Sequence, residues 1–286
     1  MKTDLRRRFA VAGVGVPLCG VVVFAGGLVF AVGLGLVAAV GCWEFGAMFR
    51  AKGQRTFIEL GSLGAFLFPP VVYLYGFYGG GTLGALLLMG YGLAGVAQVP
   101  TAKGPITAAA LTGFGALYIG GLLSFGVTLR EGWVFTTLPT SDGPTLERLA
   151  WTLFFFYPVV VTWLADTAAY FGGRTFGRHM MSPDVSPSKT VEGAVAAMLA
   201  APIVAALYSR WVLPSGWELR LWEAVLFGLV VSGLAIFGDL VESAMKRECD
   251  VKDASNLLPG HGGMLDRLDS ILWVLPGAYL FFSLVH

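Results

Sequence analysis

Charge is what this sequence has least of: Asp, Glu, Lys and Arg together make up 13% of its 286 residues, against 56% that are hydrophobic, and the mean hydropathy is +0.73. Soluble globular domains carry about 25% charged residues, so a water-soluble domain is excluded and the chain reads as an integral membrane protein. The net charge of +1 excludes a partner held by bulk attraction, nucleic acid included. Cysteine is nearly missing too. Cys19 and Cys42 lie in apolar runs and Cys249 in a polar stretch, which gives neither metal-ligand spacing nor an even set for disulfides. Three histidines without a Cys or His partner at finger spacing exclude a zinc site of the usual kind. No P-loop or Rossmann fingerprint occurs, and no fixed-period or inverted repeat is visible. What is abundant is glycine, 40 residues, with 14 prolines. Both are tolerated in membrane helices, where small residues let backbones approach closely.

A spanning helix needs about 20 apolar residues. On that measure the sequence predicts an all-α, polytopic fold of about nine spans: residues 9–26, 28–49, 57–78, 82–99, 106–128, 149–171, 191–211, 222–245 and 267–285. Only Gly26 and Gly27 separate the first two, which leaves a hairpin or one long tilted helix. Lys2, Arg6, Arg7 and Arg8 ahead of the first run resemble a signal peptide. The run continues past signal length with no polar region after it, so a retained helix is expected. Lys and Arg are held on the cytoplasmic side. With nine spans and the amino terminus inside, fifteen of the nineteen fall on that side, leaving Arg130, Arg148, Arg210 and Arg220 outside. This predicts a cytoplasmic amino terminus, an external carboxyl terminus, and two polar connections, 172–190 and 246–266, facing the cytoplasm. Polar chemistry gathers after residue 163, so residues 1–148 read as scaffold and a wall for lipid, and 149–286 as the part that carries the chemistry. Glu44 and Glu59 are the only acids between Asp4 and Glu131. Glu44, near a helix end, is placed to snorkel.

Three clusters break the apolar pattern. In the eighth span Asp239, Glu242, Ser243, Lys246 and Arg247 share one helical face. Ionisable groups at membrane depth face a bundle interior or an aqueous cavity; a plain reading is a salt bridge from Asp239 or Glu242 to Lys246 that ends the helix. Next comes "LPGHGGMLDRLDS", residues 258–270, whose glycines can turn N–H groups toward an anion, a phosphate cradle in prospect. Asp266 and Asp269 follow it, where helix caps are the plain reading. The third cluster, "WLADTAAYFGGRTFGRHMMSPDVSPSKTVEG", sets Asp166 within an apolar span with Tyr170 one turn later, then Arg174, Arg178, His179 and Lys189. Here Ser188 or Thr190 can cap the seventh span and Glu192 complete a reciprocal cap. Carboxylates suited to Mg²⁺, which shares oxygen ligands with substrate phosphates, stand beside Arg and Lys groups suited to phosphate oxygens. The kit points to a metal-bound polyphosphate at the cytoplasmic membrane face.

The run Ser243, Lys246, Arg247, Lys252, Asp253, Leu258, Pro259, His261, Gly262, Gly263, Asp266, Arg267 and Asp269 resembles the signature of the phosphatidate cytidylyltransferase (CDP-diacylglycerol synthase) family, and the "WLADTAAYFGGRTFGRH" and "SPSKTVEG" blocks are similar to its other hallmarks. The resemblance covers roughly residues 163–270. Met180 and Met181 stand where more polar residues are expected. The resemblance implies transfer of a cytidylyl group from CTP to phosphatidate, with Mg²⁺ and a second cation, K⁺. Carried over, it makes Asp239 and Asp266 the leading metal ligands, with Asp166 and Asp269 next. Lys246, Arg247, Lys252, Arg174, Arg178 and Lys189 then hold CTP or lipid phosphate, supported by Ser186 and Ser188. Gly262, Gly263 and Arg267 serve the substrate side, and His261 contacts phosphate, shapes the loop or moves a proton. Expected partners are the two substrates and the bilayer; small residues on many helices also permit a homodimer. A prokaryotic plasma membrane is the expected location. The rival readings are a CTP-using lipid or polyprenol kinase and, from another class, a cation-coupled transporter, whose acids would be spread along a route through the membrane.

Overall fold

The computed structural model describes residues 2–97, 104–133, 143–257, 260 and 262–285. Leu258, Pro259 and His261, named above, lie outside the described residues, as does Lys103, one of the fifteen basic residues counted as cytoplasmic. The chain is helical almost throughout: α1 Lys2–Ala25, α2 Gly27–Ala51, α3 Ile58–Ala97, α4 Pro105–Gly115, α5 Leu122–Arg130, α6 Pro144–Phe176, α7 Val191–Trp211, α8 Leu221–Glu248, α9 Leu265–Leu268 and α10 Ile271–Val285. A π-helical segment, Ala116–Gly121, joins α4 to α5. Among the described residues, seven helical segments are long and apolar enough to cross a membrane, against the nine spans expected, and the protein is an integral membrane protein. Many large apolar side chains point outward, among them Leu63, Leu93, Leu199, Ile203 and Leu284, as lipid contact requires and water would not allow.

Two junctions settle what the sequence left open. Gly26 and Gly27 take φ of 63° and 56°, which ends α1 and starts α2, and the two helices pack side by side near Val22 and Gly33. The first two runs are therefore a hairpin. The 40 residues of α3 would extend about 60 Å at 1.5 Å per residue, twice a hydrocarbon core. Gly76, at φ 66° and ψ −167°, breaks them into two arms, slightly earlier than the break expected between 78 and 82.

The chain forms two compact units, neither continuous in sequence. The first comprises residues 1–127 and 246–268, the second residues 128–245 and 269–286. A division at 148 was expected. Residues 246–268 instead join the first unit, because Glu44 on α2 accepts hydrogen bonds from the backbone of Met264 and Leu265.

The second unit is built on an aromatic core. Phe227 and Phe282 pack on Tyr157, with Phe281 against both phenylalanines, and the Tyr157 ring stacks on Tyr208 at 5.1 Å. The two hydroxyls bridge α6 and α7 reciprocally: Tyr157 donates to the Ala205 carbonyl at 3.0 Å and Tyr208 to that of Leu153 at 2.8 Å. Between these helices lies the one departure from an all-helical pattern among the described residues, an antiparallel hairpin of β1 Met180–Ser182 and β2 Ser186–Thr190. With the bridge intact, α6 and α7 hold the hairpin that carries Lys189. Tyr157→Phe should lower the unfolding free energy by about 0.5–1.5 kcal/mol and Tyr157→Ala by about 3–5 kcal/mol, measured by denaturant titration in detergent.

Candidate functional site

The second unit contains a cavity of about 520 Å³, within the range of small-molecule sites. Each polar group in its wall has a structural reason to be there. Asp166, Tyr170 and Arg174 are spaced four residues apart on α6 and so occupy one face. The Arg174 guanidinium donates to the Tyr170 hydroxyl at 2.8 Å, which holds its charge at the wall. Ser188 and Lys189 come from β2, Asp239 from α8, and Asp269 from the residues between α9 and α10. The Lys189 ammonium lies 2.6 Å from the Asp239 carboxylate. Met181 lines the same wall, which gives one of the two unexpected methionines a place.

Asp239, Glu242 and Asp269 each offer a carboxylate oxygen, and the three atoms lie within 4.8 Å of one another. Oxygens on opposite sides of a Mg²⁺ ion with bonds of about 2.1 Å are roughly 4 Å apart, so small side-chain motions suffice for a shared divalent cation. The local charge also favours one. Four carboxyl groups, Asp166, Asp239, Glu242 and Asp269, gather here with the bases Lys189 and Arg174, and Glu242 is 1% exposed. Buried charge of one sign is costly unless compensated. Gly238 makes the grouping sterically feasible, since a Cβ there would stand 2.6 Å from the Asp269 carbonyl oxygen. Any side chain at 238 pushes the Asp269 backbone away from α8.

Glu242 is the acid that sequence reasoning left as an ordinary salt-bridge partner. Its place at i+3 from Asp239 was the available signal. The helix-ending bridge to Lys246 is not what the chain uses for Asp239, which is held by Lys189, and Lys246 reaches Asp266 at 2.8 Å.

Asp266 belongs to the first unit, where it organises the loop before α9. Its carboxylate accepts from the Lys246 ammonium and from the backbone N–H groups of Ala254, at 3.0 Å, and Gly263, at 2.7 Å. The glycine-rich bend thus aims an N–H at a carboxylate of its own chain, where an external phosphate was expected. Gly262 carries a φ of 78°. At Gly263 a Cβ would stand 2.7 Å from the Glu44 carboxylate. Glu44 itself is fully buried on α2, the reverse of the snorkelling expected for it, and accepts from the Ser255 hydroxyl and the Met264 and Leu265 N–H groups. No local signal could have found this, because the partners are more than two hundred residues away in sequence.

The other expected residues are more dispersed. Arg247, in the last turn of α8, donates to the Val251 carbonyl just beyond the helix at 2.9 Å. Lys252 and Arg267 are exposed in the first unit. Ser186 is buried in β2, and Arg178 is exposed after α6. Thr190 is the N-cap of α7, accepting from the Gly193 N–H at 3.1 Å. Glu192 does not complete a reciprocal cap with it. Its carboxylate instead accepts from the backbone N–H groups of Arg178 and His179 and lies 2.7 Å from the His179 ring, which fixes the entry to the hairpin.

Sequence relatives bear on what such a site does. A family model described as the cytidylyltransferase family matches residues 6–285. The chloroplastic phosphatidate cytidylyltransferase 4 of Arabidopsis thaliana is 33% identical over 289 residues, covering 94% of this chain and 71% of that protein. The phosphatidate cytidylyltransferase of Synechocystis sp. is 31% identical over 305 residues, 98% of this chain and 97% of its own length. That of Bacillus subtilis is 42% identical over 169 residues, a match spanning 59% of this chain and 56% of the relative. With a match that runs through nearly all of its length, the chain belongs to the cytidylyltransferase family.

Proposed function

We propose that this protein transfers the cytidylyl group of CTP to phosphatidate, giving CDP-diacylglycerol and pyrophosphate. The observation that carries the reading is the convergence of Asp239, Glu242 and Asp269 beside a cavity walled by Lys189, Arg174 and Ser188, in a chain whose relatives bear that name. A lipid phosphate oxygen forms the new bond to the α-phosphorus of CTP, and the bond from that phosphorus to the oxygen bridging the β-phosphate breaks. The electron pair leaves with pyrophosphate. Asp239, Glu242 and Asp269 would hold a divalent cation, which supplies neutralisation of the phosphate oxygens. For the K⁺ that the resemblance implies, Asp166 is the carboxylate of the cavity still available.

The remaining work belongs to side chains that position and neutralise, as phosphoryl-type transfer requires. Arg174 and Lys189 stand where they can take phosphate oxygens, with the Ser188 hydroxyl as a further donor. Lys189, held by Asp239, keeps one ammonium beside the acids; Arg174, held by Tyr170, keeps a planar fork on the α6 wall. A protonated carboxylate or an added base is not needed, because the attacking phosphate is already anionic. The reading places the reaction at the cytoplasmic side of a prokaryotic plasma membrane, supported by the distribution of Lys and Arg.

Two measurements test it. Purified protein given phosphatidate, radiolabelled CTP and Mg²⁺ should yield cytidine-labelled lipid and free pyrophosphate, with no product when a chelator removes the divalent ion; a phosphorylated lipid free of cytidine would make it a kinase. Asp239→Asn and Asp269→Asn should each lower kcat at least 100-fold, about 2.7 kcal/mol of transition-state stabilisation. Near-normal turnover in either variant removes that residue from the metal site.

A further inference from the structure

We propose that Glu44 is a positioning residue for this reaction, acting from α2 on the segment Ser255–Arg267; the proposal rests on the function argued above. Glu44 is not among the residues that line the cavity or form its acid cluster. It is 0% exposed, yet both its oxygens are engaged: Oε1 accepts from the Ser255 hydroxyl at 2.5 Å and the Met264 N–H at 3.0 Å, and Oε2 from the Leu265 N–H at 2.7 Å. Gly263 presses its backbone against the same carboxylate. A buried carboxylate is a poor way to fill space, since its desolvation commonly exceeds what an apolar residue of that volume would cost. What it provides is a fixed acceptor for two consecutive N–H groups at the start of α9, where helix donors have no partner within the helix.

The segment so held includes Gly262, Gly263, Asp266 and Arg267 and runs through α9 directly into Asp269, one of the three acids of the candidate cation cluster. Asp266 fixes the same segment from within through Ala254, Gly263 and Lys246. Lys52, at the end of α2, pairs with Asp250, which anchors the connection leaving α8. Asp250 and the Met264–Leu265 backbone are therefore both tied to the α2 region, by Lys52 and by Glu44. A helix of the first 51 residues, which looked like inert wall, sets the backbone at the start of α9.

The test uses the full-length protein in detergent with the Glu44→Gln variant. One amide oxygen can still accept, but the amide nitrogen now opposes an N–H donor. The expected result is a 10- to 100-fold fall in kcat, the size found when groups that orient a site are removed, with the KM for phosphatidate unchanged and the thermal midpoint within a few degrees of wild type. Amide exchange at Met264 and Leu265 should quicken at least tenfold while α6 and α7 keep their protection. Ser255→Ala, which removes the hydroxyl that donates to Glu44 and accepts from the Leu257 N–H but leaves both N–H contacts to Glu44, should show the same pattern at a few-fold scale. Wild-type kcat in Glu44→Gln overturns the proposal. So does a loss of activity that merely follows loss of folded protein while exchange at 264–265 stays slow. Should the wild-type protein make no cytidine-labelled lipid, the functional reading fails, and the exchange data report separately on whether Glu44 holds the loop.

Discussion

A carboxylate carried into a membrane protein's interior has to be answered by a cation or by hydrogen-bond donors, and that requirement organises this molecule. It is met in two ways. Around Asp239, Glu242, Asp269 and Asp166 the answer includes cations, Lys189 and Arg174, beside a trio of carboxylates close enough to share an ion. Around Glu44 and Asp266 the answer is mostly backbone, with N–H groups of Ala254, Gly263, Met264 and Leu265 turned inward. The first arrangement is suited to chemistry and the second to holding a loop still. Low dielectric strengthens both, because a donor withheld from a buried carboxylate costs more than it would in water.

How much of this could be read from the sequence follows from the same physics. Ionisable residues stand out against an apolar background, so Asp166, Asp239, Asp269, Arg174 and Lys189 were visible, and each lines the cavity. The spans were visible for the same reason. Whether an acid is answered by a side chain or by backbone is not written in residue types. Asp266 therefore looked like the equal of Asp239, and a glycine-rich bend looked like a cradle for phosphate when its Gly263 N–H serves Asp266. Glu44 looked like an ordinary helix-end acid because its partners lie at the far end of the chain.

The β hairpin was illegible for a different reason. "SPSKT" has no apolar alternation and two of its five residues are serines, so nothing in it resembles a half-buried strand. Its strand geometry comes from pairing with Met180–Ser182 and from Glu192, which clamps the approach through Arg178 and His179. The extended backbone turns successive side chains to opposite faces. A flexible loop of the same composition would offer Lys189 to the cavity only part of the time.

The break in α3 also fixes a depth. Backbone that leaves helical geometry is tolerated beside water or headgroups and not against acyl chains, so Gly76 marks where the first unit emerges from the hydrocarbon. Tyr75, Phe77 and Tyr78 surround it, with Tyr78 almost fully exposed, a cluster typical of the interfacial aromatic belt. The turn between α1 and α2 lies at the same level, since the Tyr73 hydroxyl approaches Gly27. The glycine breaks at 26–27 and 76, with Tyr73, Tyr75 and Tyr78 beside them, thus gather at the amino-terminal end of α2, the end from which its depth would be counted.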